Sequence, residues 1–285
     1  MDRVNSWRLL VRHSTTSRYA AEVFASYNEV RLTPMTDRGQ VTVDERVEVV
    51  PAARLFRHVD YWGTIVHTFD VHGRHTELTV LGSSIVDTSA RRVLDEDATW
   101  GTLALPTLHD DLYEYLSPTR FVAPCDTLSA VADDIRTRAA TPSDAARMAI
   151  DAVRDRLVYE RGHTTASTSA AEAWEQRRGV CQDFAHVTLA ILRAMGVPAR
   201  YVSGYLHPDR DAPIGVAVSG ESHAWIDAWI GDWAPFDPTN GEPVGERHVV
   251  VAQARDYGDV SPLRGIYTGA AATDQDVTVE VTRIG

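Results

Sequence analysis

The sequence predicts an α+β fold in two parts, an N-terminal antiparallel β-sandwich over residues 1–121 and a mixed region of helices and strands over residues 122–285. In the first part, short segments alternate between apolar and polar residues and are separated by turn signals, which is typical of half-buried strands. The second part contains a long amphipathic helix pattern followed by alternating segments. Strand patterns in one part and both patterns in the other indicate the α+β class.

The composition is that of an ordinary globular protein. Of the 285 residues, 44% are hydrophobic and 24% are charged, which excludes a disordered chain, a coiled coil and a collagen-like fibre. No apolar run reaches the roughly 18–20 residues that a membrane-spanning helix needs, so we expect no membrane partner. The first residues are polar and lack the apolar core of a signal peptide. We therefore expect a cytoplasmic protein.

The charge and the cysteine count exclude further classes. The 28 basic and 40 acidic residues give a formal net charge of −12, and an acidic surface repels phosphate backbones, so we expect no nucleic-acid partner. The sequence contains no lysine, so all 28 of these basic residues are arginine. Cys125 and Cys181 are too few for a disulfide framework and lack the paired spacing of a zinc ribbon.

The strands of the N-terminal part are predicted from partial alternation at residues 7–11 and again at residues 41–43. Residues 64–71 and 76–81 are two further alternating segments, and the short stretch between them contains Gly73. A glycine-containing turn between two such segments predicts a β-hairpin. Several short strands of this kind favour a β-sandwich.

The second part opens with helix patterns. The first helix begins at Asp126 or Thr127, either of which is able to cap it, and a second begins near Thr141, with a proline in its first turn. The clearest pattern spans residues 184–195, where apolar residues recur on one face before Gly196 ends the helix. Three segments after it are predicted strands: residues 200–206, 223–230 and 233–236.

Cys181 directly precedes the clearest helix pattern. Unpaired backbone N–H groups and the helix dipole favour a negative charge at this position. Because the nucleophilic form of cysteine is the thiolate, the position suits a nucleophile. The spacing by itself equally allows a small, buried, apolar cysteine.

His223 and Asp237 complete a candidate catalytic group. His223 opens one predicted strand and Asp237 follows the next, so pairing of the two strands as a hairpin brings these residues together. Asp237 is then able to fix one ring nitrogen of His223 while the other faces Cys181. The alternatives are a solvent-facing strand histidine and an Asp-Pro turn.

Five motifs occur in one order along residues 140–245, and this order resembles the transglutaminase-like superfamily. They lie at residues 179–186, 192–200, 204–205, 222–226 and 236–240, with Cys181, His223-Ala224-Trp225 and Asp237-Pro238-Thr239 at their centres. Residues 27–34 are similar to the β domain that precedes this core in bacterial members.

The resemblance implies a papain-like α+β core in which the helix carrying Cys181 packs on an antiparallel sheet carrying His223 and Asp237. Cys181 is then the nucleophile, His223 the base and acid, and Asp237 the residue that orients His223. The implied chemistry is hydrolysis of an amide in a peptide or protein, or acyl transfer from it, through a thioester and without a cofactor. The alternative is a catalytically inactive binding or scaffold protein of the same fold.

Other residues receive roles from the same motifs. The backbone N–H of Cys181 is the expected oxyanion donor, and the family often adds an upstream aromatic donor, for which Tyr159 is the first candidate and Trp174 the second. Gln182 and Asp183 either line the pocket or cap the helix. His186 and Cys125 are expected to be structural.

We expect no metal site. Asp95-Glu96-Asp97 and Asp209-Arg210-Asp211 are the two acidic clusters that invite calcium, which animal members of the family use. Neither has the oxygen-ligand spacing of a dedicated calcium loop, so solvated charged loops are the better interpretation.

Overall fold

The computed structural model describes residues 6–90 and 98–285. Its strands are β1 (Ser6–Val30), β2 (Gln40–Val50), β3 (Phe56–Val59), β4 (Ile65–Val71), β5 (His75–Ser89), β6 (Val158–Tyr159), β7 (Arg178–Gly179), β8 (Ala199–Leu206), β9 (Ala217–Trp229), β10 (Trp233–Phe236), β11 (His248–Ala254), β12 (Leu263–Gly269) and β13 (Ala272–Arg283). Its helices are α1 (Trp100–Leu103), α2 (Pro106–Asp111), α3 (Tyr113–Leu116), α4 (Asp126–Arg138), α5 (Pro142–Arg156), α6 (Ala170–Gln176), α7 (Cys181–Ala194) and α8 (Tyr257–Val260). Within the described ranges, no helix has the length and apolar character needed to span a bilayer.

Strand β1 organises the N-terminal region because other strands flank it on both edges along its length. On one edge it pairs antiparallel with β5 and then with β4, and on the other with β13 and then with β12. The register is interrupted between Arg18 and Val23, where the pairing changes from one set of neighbours to the other. Each edge is therefore covered by two consecutive strands that follow the course of β1.

The predicted hairpin between residues 64–71 and 76–81 is wrong. Strands β4 and β5 do not pair with each other but lie antiparallel to different ends of β1. The chain therefore keeps its direction through Gly73 instead of reversing. The physical reason is that β1 is long enough to offer both segments hydrogen-bond partners, and local alternation does not show which partner a strand takes.

Three apolar clusters lie in the interior of the described residues, and the smallest consists of Val202, Trp225 and Val250. The second lies within the N-terminal region and joins β1, β2, β4 and β5 through Val30, Val49, Phe69, Val71, Leu78 and Val80. The largest one is built around the helices but also includes Trp7, Leu9 and Val11 of β1. Because these strand residues share a core with the helices, the two parts of the molecule are in direct contact.

The C-terminal strands also connect the two parts. Strands β12 and β13 belong to the region assigned from sequence to the second domain, yet they pair with β1. Strand β13 also pairs with β9, which carries His223. The division at residues 121/122 remains a prediction, whereas the α+β class with antiparallel sheets is confirmed.

Helix α7 lies at the centre of the second part and packs against α4, α5, α6, β8 and β9. Its residues from Asp183 to Arg193 are all buried, so neighbours surround it on every side. Helix α5 begins near Thr141 as predicted, and the Thr141 side chain caps it by accepting a hydrogen bond from the Asp144 N–H. The N-cap of α4, in contrast, is Cys125. Asp126 and Thr127 are the first two residues inside this helix, so neither occupies the predicted cap position.

Strands β8, β9 and β10 form the sheet against which α7 packs. Strand β9 begins at Ala217, earlier than predicted, because its first residues pair with β13 and its later residues with β8. Strand β10 pairs with the end of β9, with Phe236 opposite Ile226. This hairpin places Asp237, the next residue, near the middle of β9, where His223 lies.

Candidate active site

The first turn of α7 is fixed by the carboxylate of Asp183. Its Oδ2 accepts hydrogen bonds from the Val180 N–H at 2.8 Å and from the Thr164 hydroxyl at 2.7 Å. Burial raises the pKa of Asp183, although both hydrogen bonds favour the carboxylate. A Cβ at Gly179 would lie 2.5 Å from Oδ2, so only glycine fits here. Asp183 therefore caps the helix that begins with Cys181.

His223 and Asp237 meet as the hairpin predicts. The distance from His223 Nε2 to Asp237 Oδ2 is 2.8 Å, and both residues are buried. Because Nε2 faces Asp237, Nδ1 is the ring nitrogen that remains for Cys181, whose side chain lies close enough to raise the pKa of His223. Cys181 and His223 line one cavity, so the structure brings the three predicted residues close together.

The charge state of His223 follows from these neighbours. Burial alone lowers the pKa of His223, but the hydrogen bonds and charges of Asp237 and Cys181 outweigh it and raise the pKa to about 10. For Asp237, burial acts to raise the pKa, and hydrogen bonds from His223, His248 and Asn240 reverse this and hold it below its usual range. Both partners are therefore charged at neutral pH, and the cationic ring of His223 lies beside the Cys181 side chain.

Hydrogen bonds hold Asp237 from several directions. Oδ1 accepts from the backbone N–H groups of Thr239 and Asn240 at 3.0 and 3.1 Å. Oδ2 accepts from the Asn240 side-chain amide at 2.8 Å, in addition to His223, and the Nε2 of His248 lies 3.5 Å away. The carboxylate plane is fixed as a result.

Two cavities reach His223. The first, of about 250 Å³, also exposes Cys181, and its wall includes β1 and β13 through His13, Thr15, Gln275 and Val277. Besides Cys181 and the cationic His223, the other lining residues have uncharged side chains. They are Val180, Gln182, Tyr201, Ser203, Ser222, Ala224, Tyr257, Pro262 and Leu263. The second, of about 340 Å³, is lined by residues that include Tyr159, Asn240, Glu242 and Arg247.

The remaining site candidates lie in different surroundings. Tyr159 is 42% exposed and lines the second cavity. Gln182 lines the first cavity and donates to the Ala166 carbonyl at 3.3 Å. Trp174 is buried in the helical core with the Arg156 guanidinium over its ring at 4.8 Å, and it lines neither cavity. Its position favours a packing role.

His186 and Cys125 occupy positions that suit structural roles. His186 is fully buried, accepts a hydrogen bond from the Tyr257 N–H at 3.2 Å and stacks on Phe121. Burial lowers its pKa to about 3, so the ring is neutral. The Cys125 sulfur lies 2.9 Å from the Thr127 hydroxyl, at the start of α4 and away from both cavities.

Sequence reasoning missed several residues of the site. Asn240 belongs to the recognised motif at residues 236–240, so its role was accessible from sequence. Tyr201 is buried beside Cys181 and lines the first cavity; burial and the nearby Cys181 raise its pKa well above the usual value. His13 and His248 carried no signal, because both lie outside the recognised motifs: His13 is far from them in sequence, and His248 follows the last motif by eight residues.

One donor set within the described residues has the composition of a metal site. Nitrogen and oxygen atoms of His223, Asp237 and His248 lie within 4.8 Å of one another. The hydrogen bonds between them already account for this arrangement. Of the two acidic clusters, Asp209 accepts from the Asp211 N–H in an exposed loop, and residues 95–97 lie outside the described ranges. Metal independence remains a prediction.

Comparison with known proteins identifies the family. Residues 129–238 match the model of the transglutaminase-like superfamily, and residues 9–87 match that of the bacterial transglutaminase-like N-terminal region. An uncharacterized protein of Mycobacterium leprae is 46% identical over 278 residues, which cover 98% of this chain and 99% of that protein. The chain belongs to the transglutaminase-like superfamily.

Two further proteins support this assignment at the level of sequence and fold. An uncharacterized protein of Mycobacterium tuberculosis is 35% identical over 308 residues, covering 96% of this chain and 92% of that protein. A crystal structure from Cytophaga hutchinsonii, provisionally described as a cysteine protease, superposes with a TM-score of 0.79 over 96% of this chain and 90% of that one. The sequences of these two are 23% identical, so this likeness shows the fold.

Proposed function

We propose that the protein is a thiol-dependent enzyme that acts on amide bonds through a thioester at Cys181, as a hydrolase or as a transferase to an amine. The observation that carries the proposal is the series formed by Cys181 and His223, which line one cavity, and by Asp237, which is hydrogen-bonded to His223. Such a series supplies a nucleophile, a proton carrier and a group that orients the carrier.

In the first half-reaction, the Cys181 thiolate attacks the carbonyl carbon of the amide. The oxyanion forms near the first turn of α7, where the Cys181 N–H has no intrahelical acceptor and is available as a donor. His223 then gives its Nδ1 proton to the leaving nitrogen as the C–N bond breaks. Ammonia or an amine departs, and the acyl group stays on sulfur as a thioester.

In the second half-reaction, neutral His223 accepts a proton from water or from an incoming amine at Nδ1. The activated oxygen or nitrogen attacks the thioester, the C–S bond breaks and Cys181 leaves as the thiolate. The product is an acid or a new amide, and the imidazolium–thiolate pair is restored. Asp237 keeps the ring in one orientation throughout.

The two cavities support a separate place for each reactant. The first cavity contains Cys181, and apart from His223 its wall combines apolar side chains with uncharged polar ones, which suits an uncharged peptide or carboxamide group. The second reaches His223 without including Cys181, and we assign it to the incoming water or amine. Tyr159 and Gln182 line different cavities and are the candidates for a second oxyanion donor.

A peptide-library experiment tests this function. The protein is incubated with glutamine-containing peptides, with and without methylamine, and the products are identified by mass spectrometry. We expect shortened or deamidated peptides in water, or methylamide products when the amine is present. Cys181→Ala should abolish every product while Cys125→Ala, the matched cysteine control, leaves them unchanged.

The outcomes separate an enzyme from an inactive relative. Turnover by Cys181→Ala equal to that of the unmodified protein would refute the thiol mechanism. Absence of products, combined with iodoacetamide labelling of Cys181 no faster than of Cys125 at neutral pH, would favour the inactive binding protein instead.

A further inference from the structure

We propose that His248 is a positioning residue for the reaction, which donates a hydrogen bond to Asp237 and thereby fixes the carboxylate that orients His223. This inference rests on the proposed function of the Cys181 site. It adds a fourth member, carried by a strand outside the recognised motifs, to the series of three.

The first observation is the distance. The Nε2 of His248 lies 3.5 Å from Asp237 Oδ2, the same oxygen that accepts from His223 Nε2 at 2.8 Å. His248 and Asp237 are both buried, at 4% and 2% exposure. In such surroundings a polar contact is poorly screened by water and has a larger effect than at the surface.

A hydrogen bond from the backbone determines the tautomer of His248. Its Nδ1 accepts a hydrogen bond from the Gly245 N–H at 3.3 Å, so in the neutral ring Nδ1 carries no proton. The proton therefore resides on Nε2, which faces Asp237. Burial lowers the pKa of His248, so the ring is a neutral donor at physiological pH.

The third observation is that the framework holds His248 rigidly. Its backbone is paired within the sheet, where His248 lies opposite Leu206 of β8. Its ring packs edge-to-face on Trp225 with centroids 5.3 Å apart, and Trp225 in turn stacks near His223. The histidine thus connects Asp237, which follows the short strand β10, to a well-anchored strand of the sheet.

The orientation of Asp237 depends on the donors to its Oδ2 atom. Besides His223, the donors to Oδ2 are the side chains of Asn240 and His248, and Asn240 belongs to the same turn as Asp237. If the turn shifts, Asn240 moves with the carboxylate, whereas His248 stays with the sheet. Removing His248 should therefore loosen the orientation of His223 without changing the substrate cavity, which His248 does not line.

The test compares variants of similar size. His248→Met fills the space without a donor, whereas the amide nitrogen of His248→Gln is able to replace Nε2. On a peptide substrate from the library, we expect His248→Met to lower kcat about 10-fold with KM unchanged, the lower end of the range found for residues that orient catalytic ligands. His248→Gln should recover most of this loss.

The matched control is His75→Met. His75 is also buried, bonds one nearby backbone group through Nδ1 at 2.8 Å and packs edge-to-face on Tyr19. It does not contact Asp237, so kcat and KM should both stay unchanged. If His248→Met fails to fold, His248→Asn replaces it, since this amide is one methylene shorter than that of glutamine and falls short of Oδ2.

A spectroscopic readout is independent of turnover. The downfield proton resonance of His223 Nε2–H reports its hydrogen bond to Asp237, and we expect it in the wild type and His248→Gln but broadened in His248→Met. Unchanged kcat and an unchanged resonance in His248→Met would overturn the inference, as would equal losses in the Met and Gln variants. Turnover by Cys181→Ala would instead refute the underlying function.

Discussion

At the residue scale, the site depends on a buried pair of opposite charges. Burial penalises the charged forms of both His223 and Asp237, but their hydrogen bond and the contact with Cys181 reverse the effect on each pKa. The imidazolium is thereby kept beside the sulfur at neutral pH. This arrangement leads to two predictions, one for activity and one for stability.

Asp237→Asn should leave the protein folded but lower its activity by roughly 10²–10⁴, the scale set by orienting residues in other triads. The asparagine oxygen still accepts from the Thr239 and Asn240 N–H groups, so the turn survives, but His223 loses its anionic partner. Activity on the peptide library and far-UV circular dichroism measure the two effects. Asp232→Asn, in the turn between β9 and β10, is the control. A loss of only a few-fold in the activity of Asp237→Asn would show that Asp237 is merely a turn residue.

The pKa of His223 also predicts how stability depends on pH. The pKa rises from the ordinary 6.5 to about 10 on folding, so the folded state binds the proton more tightly than the unfolded state. The stabilisation is complete below pH 6.5 and is lost as the pH rises from 6.5 through about 10. In urea unfolding, the advantage of the wild type over His223→Gln should be larger at pH 6 than at pH 10. An equal advantage at both would contradict the prediction.

At the element scale, the start of α7 determines where the Cys181 sulfur lies. The carboxylate of Asp183 ties the first turn to Val180 and to Thr164, which precedes α6. Gly179 allows this carboxylate to approach the backbone closely. The position of the helix and that of the nucleophile are thus set by one carboxylate. Of the two roles considered for Asp183, pocket residue and helix cap, the structure shows the cap.

Gly179→Ala should therefore both destabilise the protein and reduce its activity. The added Cβ would lie 2.5 Å from the Asp183 carboxylate, and overpacking of this kind costs about 1–3 kcal/mol. The free energy of unfolding in urea measures the first effect, and turnover of the peptide library measures the second. Gly73→Ala, where a Cβ meets no atom within 4 Å, is the control. Equal stability of the two variants would disprove the proposed packing constraint.

At the scale of the whole molecule, the N-terminal region forms part of the candidate site. Strands β1 and β13 contribute one wall of the cavity beside Cys181, and β13 pairs directly with the strand that carries His223. A substrate bound in this cavity would therefore meet side chains from both parts of the chain. Apart from His223, the side chains that line this cavity are uncharged, in contrast to the net charge of −12 on the whole protein.

The absence of lysine predicts the behaviour of the whole protein if it transfers acyl groups to amines. Cross-linking to itself needs an acceptor amine, and the chain offers no lysine side chain. Incubated alone, the protein should keep its own mass in denaturing electrophoresis, whereas added poly-L-lysine should give heavier conjugates if this chain contains a reactive glutamine. Isopeptide-linked ladders from the protein alone would contradict the prediction if mass spectrometry placed a linkage at any site other than the N-terminal amine, because the sequence contains no lysine acceptor.

Much of the candidate site was accessible from the order of residues. The helix at Cys181, the caps at Thr141 and Asp183, and the hairpin that carries His223 depend on contacts between residues close in sequence, and such contacts leave periodic or motif signals. In the structure, His223 contacts Asp237 and lines one cavity with Cys181, while the catalytic roles of the three residues remain a prediction. The signals did not distinguish cavity-lining aromatic residues from buried ones. Only the tertiary structure shows that Tyr159 lines a cavity and that Trp174 is buried in the helical core.

The sequence by itself determined the α+β class, the family and the residues that carry the candidate chemistry, because periodicity and motif order are properties of the linear chain. Only the tertiary structure decided that β4 and β5 follow β1 instead of forming a hairpin, and that β12 and β13 return to it. It also decided that His248 approaches Asp237. Strand pairing and side-chain contacts join segments as far apart as Arg12 and Glu280, 268 residues from each other, and the packing that selects among such partners leaves no local signal.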